Sequence, residues 1–424
     1  MWVCALLFAS ATFSYQPLSA DTWASVKGMG MGHTGAVFPQ DTLCAAYNPA
    51  GMVYQGNRAD IECTWSQRNA SMVLNGSLLA GGNGERSASR LQNQYAPAFG
   101  MNWMICNSTD ASFGITGYIH DHVYAGYKEA IPAYGTDHLG FDWLVGTIAA
   151  TLAIRLDCQA FGVSALFHET RLKIDGLEQF DVGTDATLLP PVIGFTTNPG
   201  SVTGKGANMA QGFGVSIGWM GRLAPWLRAG LAWEIPIWQQ RLSKYSGFIP
   251  YDQRMIPPQR ITGGLHFNFC KKVNLVLEAQ QILWRMNKLF NHNSFTSIED
   301  LEIAPFGSRE GPGFGWRDQT ILRGGADVTF CDLILRIGGS WSRLPTRRSQ
   351  TYLNAMTLEV IQTWATAGFT YKFLCNWELS GFYAWGFKRS MDGSQDIITL
   401  TFGGGRVNLR AQEQRAGAAL GYTW

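Results

Sequence analysis

The stretch from Gln414 to Trp424 has the sequence Gln-Arg-Ala-Gly-Ala-Ala-Leu-Gly-Tyr-Thr-Trp. In an extended strand, alternate side chains share one face. One face would carry the apolar residues Ala416, Ala418, Leu420, Tyr422 and Trp424. The other would carry Arg415, Gly417, Ala419, Gly421 and Thr423. Alternation over about ten residues is typical of a strand with lipid on one side and a polar lumen on the other.

Thirteen further segments with this kind of pattern lie upstream, and the first begins at Arg58. Tight turns such as Asp157-Cys158 alternate along the chain with long loops such as residues 173–211. In outer-membrane barrels the short turns are periplasmic and the long loops extracellular. The sequence therefore predicts an all-β protein, a 14-stranded antiparallel transmembrane β-barrel over residues 58–424. The predicted third strand ends at His120, and the twelfth runs from Leu358 to Phe373.

The composition supports a membrane strand protein. Hydrophobic residues make up 46% of the chain and charged residues only 15%, whereas charged residues are about a quarter of an ordinary soluble protein. The 49 glycines and 13% aromatic residues favour strands and tight turns over helices. The net charge of +2 gives no basic field for nucleic acid.

The first residues indicate export. An apolar run from Trp2 to Phe13 is followed by Leu18-Ser19-Ala20, a small-residue cleavage site, so residues 1–20 are predicted to be a signal peptide. Beyond them no apolar stretch reaches the roughly 18 residues of a membrane helix. An exported apolar chain can instead enter lipid as a closed barrel. We therefore predict a multi-pass barrel in the outer membrane of a Gram-negative cell.

Residues 21–57 do not alternate and are rich in Gly and Ala. The segment is too long for a linker and too apolar for a tail. We predict that it fills the barrel lumen, and we call it the plug.

Two motifs carry a family resemblance. The plug contains Gly28-Met-Gly-Met-Gly-His-Thr-Gly-Ala36 and then Asn48-Pro-Ala-Gly-Met52, and a later stretch contains Trp316-Arg-Asp318 followed by Arg323-Gly-Gly325. This sequence resembles the long-chain fatty-acid transporter (FadL) family of outer-membrane proteins, including the terminal aromatic residue, although Phe is usual there and this chain has Trp424.

The resemblance implies a barrel with an N-terminal hatch that takes up hydrophobic molecules, chiefly long-chain fatty acids and in some members aromatic hydrocarbons. It also implies that the ligand leaves sideways through the wall at an inward kink of the third strand. Carried over to this sequence, the gate would contain Asn48, Pro49 and Ala50, facing Gly114 and Gly117 of the third strand.

A fatty acid needs an apolar tunnel and a cation for its carboxylate. Strand parity places Arg228, Arg323 and Arg336 on lumen faces, where each has the alternative of pairing with an acidic residue across the barrel. Ile282, Trp284 and Phe382 also face inward, and they either line the tunnel or pack against the plug. Arg323 is the preferred ligand residue because it belongs to the second motif.

Three motifs suggest chemistry, but their context does not fit it. Gly30 to Gly35 matches the dinucleotide pattern without the strand and helix that the pattern requires. Ser216 lies in a G-x-S-x-G pattern inside a predicted strand, whereas a nucleophile needs a strand-turn-helix elbow. The seven His residues lack paired metal-ligand spacing. We predict no enzyme activity, no cofactor and no metal.

The eight cysteines form no C-x-x-C pair. Five of them fall at predicted periplasmic turns or strand ends: Cys106, Cys158, Cys270, Cys331 and Cys375. The oxidising envelope permits disulfides, so we predict possible disulfide links to Cys44 of the plug or to envelope proteins, with isolated apolar cysteines as the alternative. The other partners are a hydrophobic ligand and outer-membrane lipid, and the barrel is expected to be a monomer.

Two alternative functions stay open at this point. A general porin for hydrophilic solutes would have the same barrel but no use for the plug. An outer-membrane lipid hydrolase would use Ser216 with a neighbouring histidine such as His168.

Overall fold

The computed structural model of the protein describes residues 24–105, 110–184, 194–270, 272–394 and 404–424. The predicted signal peptide and Cys106 lie outside these residues, and so does the stretch from Ile397 to Phe402, for which the sequence leaves open an extension of a hairpin above the membrane. The strands are β1 Arg58–Asn75, β2 Gly84–Ser87, β3 Asn93–Met104, β4 Ala111–Ala130, β5 His138–Leu156, β6 Gln159–Asp175, β7 Asn208–Ala224, β8 Leu227–Gln239, β9 Gln259–Cys270, β10 Val273–Leu283, β11 Gln319–Phe330, β12 Leu333–Ser342, β13 Thr363–Phe373, β14 Trp377–Met391 and β15 Arg406–Thr423.

Each of these strands except β2 pairs antiparallel with its neighbours around a ring, and β15 returns to β1 to close it. The closed barrel therefore has 14 strands, as predicted, and the short β2 adds to the outer end of β1. The turn at Asp157-Cys158 and its counterparts lie at one end, and the long loops lie at the other. We refer to these ends as periplasmic and extracellular.

Several predicted strand boundaries were wrong, and the packing explains two of them. The segment around Leu358 is not strand: Leu358 has a φ of +51°, and its side chain is buried in the apolar core of the extracellular loops. Its apolar pattern reflects that burial. β4 does not end at His120 but continues to Ala130, because the lumen accommodates the polar side chains that interrupt its alternation.

The outer face of the barrel is apolar. Large exposed side chains at mid-height include Ile61, Ile217, Leu277, Ile337 and Leu420. Exposed aromatic residues mark the two ends: Trp226, Phe269, Phe330, Trp377 and Trp424 at the periplasmic end, and Trp238, Trp341, Trp385 and Phe387 at the extracellular end. An apolar band between two aromatic girdles is the surface of a β-barrel in the outer membrane. Among the described residues, no helix is long and apolar enough to cross a membrane.

The extracellular loops pack into an aromatic core above the lumen. The short helices Lys288–Asn291, Ile298–Ile303 and Thr351–Asn354, and the 3-10 helices Glu178–Phe180, Ser243–Tyr245, Trp284–Met286 and Arg348–Gln350, belong to these loops. Trp143, Trp284, Phe290 and Trp316 are fully buried in the core. The ring centroids of Phe290 and Trp316 are 4.7 Å apart. We call this region the aromatic core.

The plug lies inside the ring of strands below the aromatic core. Its described part starts at Ala24 and contains a short helix, Val26–Gly30, and two 3-10 helices, Thr42–Ala46 and Pro49–Tyr54. Nearly all of its residues are buried, because it contacts strands on every side of the barrel. At Gly32 (φ +76°) any side chain would overlap with the backbone of β11 and β12, so glycine there lets the plug touch the wall directly.

Candidate gate in the barrel wall

The barrel wall is interrupted between β3 and β4. Within the described residues, these strands pair only from Phe99↔Gly117 to Met104↔Ser112. Above Phe99, β3 stays paired with β1 as far as Gln67↔Asn93, and β4 stays paired with β5. The ladder is therefore open on one side of each strand. We call this part of the wall, between residues 93–98 and 118–127, the gap.

β4 bends inward along the gap. Its pairing with β5 changes register between Ile119 and Asp121 and again between Gly126 and Ala130. From Thr116 to Tyr127 every residue is buried and the alternation of exposure is lost. Extra residues in one strand of a ladder bend that strand. This part of β4 therefore bends toward the lumen, although it stays paired with β5.

A buried ion network holds the inward segment. The His120 Nδ1 is 2.7 Å from the Asp121 carboxylate, and its Nε2 contacts Glu234 on β8. Asp121 also pairs with Arg260 on β9. The His168 ring lies beside that of His120, with centroids 5.4 Å apart. Because charges buried in a low-dielectric lumen are strongly favoured to stay paired, the network ties β4 to strands far from β3.

Apolar side chains fill the inner mouth of the gap. Ala98 of β3 and Tyr118 of β4 pack in one cluster with Leu43 and Tyr47 of the plug. Farther along the gap, Leu91 packs against a second cluster that contains Ala96, Ile119 and Tyr124. The gap is therefore closed by side chains rather than by backbone hydrogen bonds, and side chains change rotamer far more readily than a ladder opens.

The predicted gate residue Asn48 lies away from β4. It is fully buried, and its side-chain amide donates to the carbonyl of Ala36 (2.7 Å) and to that of Trp219 on β7 (3.1 Å). Its side-chain oxygen accepts from Ala50 N–H at 3.0 Å. Asn48 thus caps the helix Pro49–Tyr54 and fastens it to the wall.

The expected contact of this turn with Gly114 and Gly117 has to be corrected. Pro49 and Ala50 press against Gly162 on β6 and Asn48 against Gly218 on β7, where glycine alone leaves room for them. The plug residue nearest Gly114 is Met52, whereas Gly117 lies under the ring of Phe99. Sequence reasoning missed that Leu43 and Tyr47, a few residues earlier, face the gap.

One carboxylate fastens the middle of the plug. Glu278 on β10 accepts from three successive plug amides, those of Gly35 (3.1 Å), Ala36 (2.8 Å) and Val37 (3.2 Å). At the start of the plug, Lys27 pairs with Glu378 on β14 at 2.5 Å. The plug is therefore attached by charge-assisted bonds to the part of the wall whose strands are continuously paired.

The predicted ligand cations Arg323 and Arg336 are buried among protein groups. Arg323 donates to Gln280 at 2.8 Å and lies beside Glu278. Arg336 donates to Gln40 of the plug and to Thr370, both at 2.7 Å. Arg336 therefore joins the plug to the wall. In the ladder Arg323 lies opposite Glu278 and Arg336 lies opposite Asp327, so each has an acidic residue beside it.

The other predicted ligand residues are spread along the barrel. Ile282 and Trp284 belong to the aromatic core, and the Trp284 indole donates to Gln319 at 3.1 Å. Phe382 packs against Val26 and Met29 of the plug. Arg228 lies at the periplasmic end, over the ring of Tyr54 at 4.7 Å. The six residues therefore do not form one pocket.

The positions of the cysteines agree only partly with the predicted disulfide links. Cys158, Cys270, Cys331 and Cys375 are exposed at the periplasmic end. Cys44 is 2% exposed and packs against Met52, and burial raises the pKa of its thiol well above the usual value. The predicted disulfide between Cys44 and a cysteine of the periplasmic turns is therefore wrong, because the Cys44 thiol is enclosed within the plug. Links to other envelope proteins stay a prediction.

Ser216 does not have the geometry that the lipid hydrolase alternative requires. Ser216 lies in the middle of β7, opposite Ser164 and Glu234, with no elbow to present it. His168 contacts Thr147 at 2.8 Å. Within the described residues, no group of three or more His, Cys, Asp or Glu side chains is arranged to hold a metal ion.

The fold defines a class: a 14-stranded outer-membrane barrel with an N-terminal segment inside it and one interrupted seam. No family model and no curated protein sequence matches the chain.

Solved structures share this fold over nearly its whole length. The P. putida toluene transporter TodX has a TM-score of 0.69 at 12% identity, over 96% of this chain and 99% of that one. A Pseudomonas aeruginosa FadL homologue has a TM-score of 0.65 at 13% identity, over 96% and 99%. The Ralstonia pickettii toluene transporter TbuX has a TM-score of 0.62 at 14% identity, over 97% and 100%. The chain thus has the fold of FadL-type hydrocarbon transporters, as the sequence motifs predicted.

Proposed function

We propose that this protein is a passive outer-membrane transporter for hydrophobic molecules. The ligand enters through the aromatic core, passes along the plug and leaves through the gap into the bilayer. The single observation that carries the proposal is the gap itself, a seam without backbone pairing whose inner mouth is lined by Ala98, Tyr118, Leu43 and Tyr47. An apolar ligand gains nothing from an aqueous exit, whereas this exit leads directly to lipid.

Long-chain fatty acids and small aromatic hydrocarbons are the two substrate classes we propose. Two of the similar solved structures are of toluene transporters. The ring faces of Trp143, Trp284 and Phe290 suit flat aromatic compounds. The same surface would also accept an acyl chain, so uptake of both classes needs to be measured.

The test is uptake of labelled toluene and labelled palmitate by liposomes that contain the full-length protein. Ala98→Trp fills the inner mouth of the gap and is expected to lower uptake of the transported compound at least about tenfold. Ala418→Trp is the matched control, because Ala418 is exposed on the outer face of the continuous β1–β15 seam. It should leave uptake unchanged.

Pro49→Ala and Arg323→Ala test the plug and the second motif. We expect both to weaken uptake, because Pro49 seats the turn against β6 and Arg323 lies beside the carboxylate that holds the plug. Heat-dependent gel mobility checks that each variant forms the barrel. Equal uptake by wild type and Ala98→Trp would rule out exit through the gap. Free passage of sucrose without selective hydrophobic uptake would instead establish the porin alternative.

A further inference from the structure

An open cavity of about 730 Å³ lies at the periplasmic end of the barrel, below the plug. It is lined by the end of the plug and by the turns that join β5 to β6 and β7 to β8. The lining residues are Tyr54, Asp110, Arg155, Leu156, Asp157, Cys158, Arg222 and Arg228. The cavity is separate from the aromatic core and from the gap, so the proposed transport path does not use it.

Three of the lining residues are arginines, and one of them has an acidic partner. Arg155 binds Asp110 at 2.9 Å. Arg228 lies over the ring of Tyr54, and Arg222 reaches only the thiol of Cys158, at 3.5 Å. In the described part of the chain neither Arg222 nor Arg228 forms an ion pair, although Asp157 lines the same cavity.

Arg222 and Arg228 also face each other. They are direct partners in the antiparallel ladder of β7 and β8, so their side chains leave the sheet on the same side. Like charges directly opposite in a ladder destabilise it. Tyr54 contacts the Arg228 guanidinium from the plug side, and both arginines line the same cavity.

We propose that this cavity binds an oxyanion, a carboxylate or a phosphate, between Arg222 and Arg228. A guanidinium presents paired N–H donors that match the oxygens of both groups, and a bound anion removes the repulsion between the two cations. The anion is either a soluble periplasmic molecule or the head group of an inner-leaflet phospholipid. Leu223 and Trp226, exposed beside the site, are positioned to contact lipid chains.

The first experiment measures the thermal unfolding midpoint of the full-length protein in non-ionic detergent against phosphate, octanoate and octanol. Phosphate and octanoate should raise the midpoint and octanol should not. Arg222→Gln and Arg228→Gln should each weaken the apparent anion affinity about tenfold, as expected for loss of a charge-assisted bond. Without anion their midpoints should equal or exceed that of wild type, because the repulsion is gone.

Arg254→Gln is the matched control, since Arg254 lies in an extracellular loop 3.7 Å from Asp252. It should keep the full anion response. The same anion response in wild type and in both cavity variants, or none in wild type, would overturn the proposal.

A second measurement identifies the source of the anion. If phosphate no longer stabilises the protein in phosphatidylglycerol nanodiscs, the lipid head group occupies the site; if it still does, the ligand is soluble. Hydrocarbon uptake should be unchanged in Arg222→Gln, so failure of this proposal and failure of the transport proposal give different results.

Discussion

Two seams of the same barrel have opposite properties. At the β1–β15 seam all 18 residues of β1 are paired, from Arg58↔Thr423 to Asn75↔Arg406. At the β3–β4 seam pairing stops at Phe99↔Gly117. Both seams carry a buried ion network on the lumen side. The difference lies in where the partners of each network are.

At the closed seam the network joins the two strands that pair. Arg68 on β1 lies 3.9 Å from Glu413 on β15, and Arg415 on β15 binds Glu413 at 2.6 Å. At the open seam the charges of β4 are bound to Glu234 and Arg260 on β8 and β9. An ion network therefore reinforces a seam when both strands share it, and separates a seam when one strand is held from across the lumen.

The largest effect is expected from removing the cross-lumen anchor. Arg260→Met leaves the buried carboxylates Asp121 and Glu234 without their guanidinium, so the free energy of unfolding should fall by about 3–5 kcal/mol. Denaturant unfolding monitored by tryptophan fluorescence measures this. Arg155→Met serves as the control, because Asp110 is exposed and Arg155 is a third exposed, and an ion pair that water reaches is worth less than about 1 kcal/mol. Similar losses in the two variants would contradict a special role for the network.

At the closed seam the charge network should make stability depend on pH. Burial is the main cause that raises the pKa of Glu359 to about 7 from 4.5, with Glu413 adding to the rise and Arg68 opposing it. Because the folded pKa is the higher one, this carboxyl contributes stability below about pH 4.5 that is lost as the pH rises through about 7. The loss is at most about 3 kcal/mol.

Glu359→Gln should flatten that pH dependence, measured as unfolding midpoints from pH 4 to 8. Glu129→Gln on the exposed end of β4 is the control and should keep the wild-type slope. An unchanged slope in Glu359→Gln would mean that the wild-type dependence comes from other groups.

Glu278 attaches the plug to the continuously paired wall and not to the gap side. Glu278→Gln removes the charge that accepts three plug amides, so the plug should be held less tightly, by about 2 kcal/mol. Limited proteolysis of the plug in intact liposomes, read by mass spectrometry, should show faster cleavage. Glu169→Gln, an exposed change on β6, should not alter the cleavage rate.

Most of the barrel can be predicted from the sequence, because apolar and polar side chains alternate along each strand. The gap does not, because pairing between β3 and β4 depends on side chains that are distant in sequence, such as His120 and Glu234. The one local signal was the run His120-Asp121-His122, three polar residues where a membrane strand should alternate. Because this run breaks the alternation, the sequence predicts that the strand ends there. In the structure the strand continues, and these residues hold β4 toward the lumen.

The placement of the plug turn was wrong for a related reason. The motif Asn48-Pro49-Ala50 forms a turn in which Asn48 caps the helix Pro49–Tyr54. The wall opposite it is determined by glycines on other strands, Gly162 and Gly218, and a glycine in a strand gives no sequence signal of what approaches it. Arg323, Arg336 and Arg228 lie apart for the same reason. The alternation of a strand predicts which face a side chain is on, but not its position along the barrel axis or the residues that it contacts.

The smallest loss of stability is expected where Pro49 and Ala50 of the plug contact β6. A Cβ at position 162 would overlap with the Pro49 carbonyl group, whereas one at Gly263 on β9 would be 3.6 Å from its nearest neighbour. Gly162→Ala should therefore cost about 1–2 kcal/mol of unfolding free energy through overpacking, and Gly263→Ala should cost little.

The turn displaced by Gly162→Ala follows directly on Tyr47, which closes the inner mouth of the gap. Gly162→Ala should therefore also change hydrocarbon uptake, although residue 162 lies on β6 and not on the gap itself. Reduced stability with unchanged uptake would show that the plug turn and the gap are mechanically independent. Changed uptake in Gly162→Ala but not in Gly263→Ala would show that the seating of Asn48 and Pro49 controls the open seam through Tyr47.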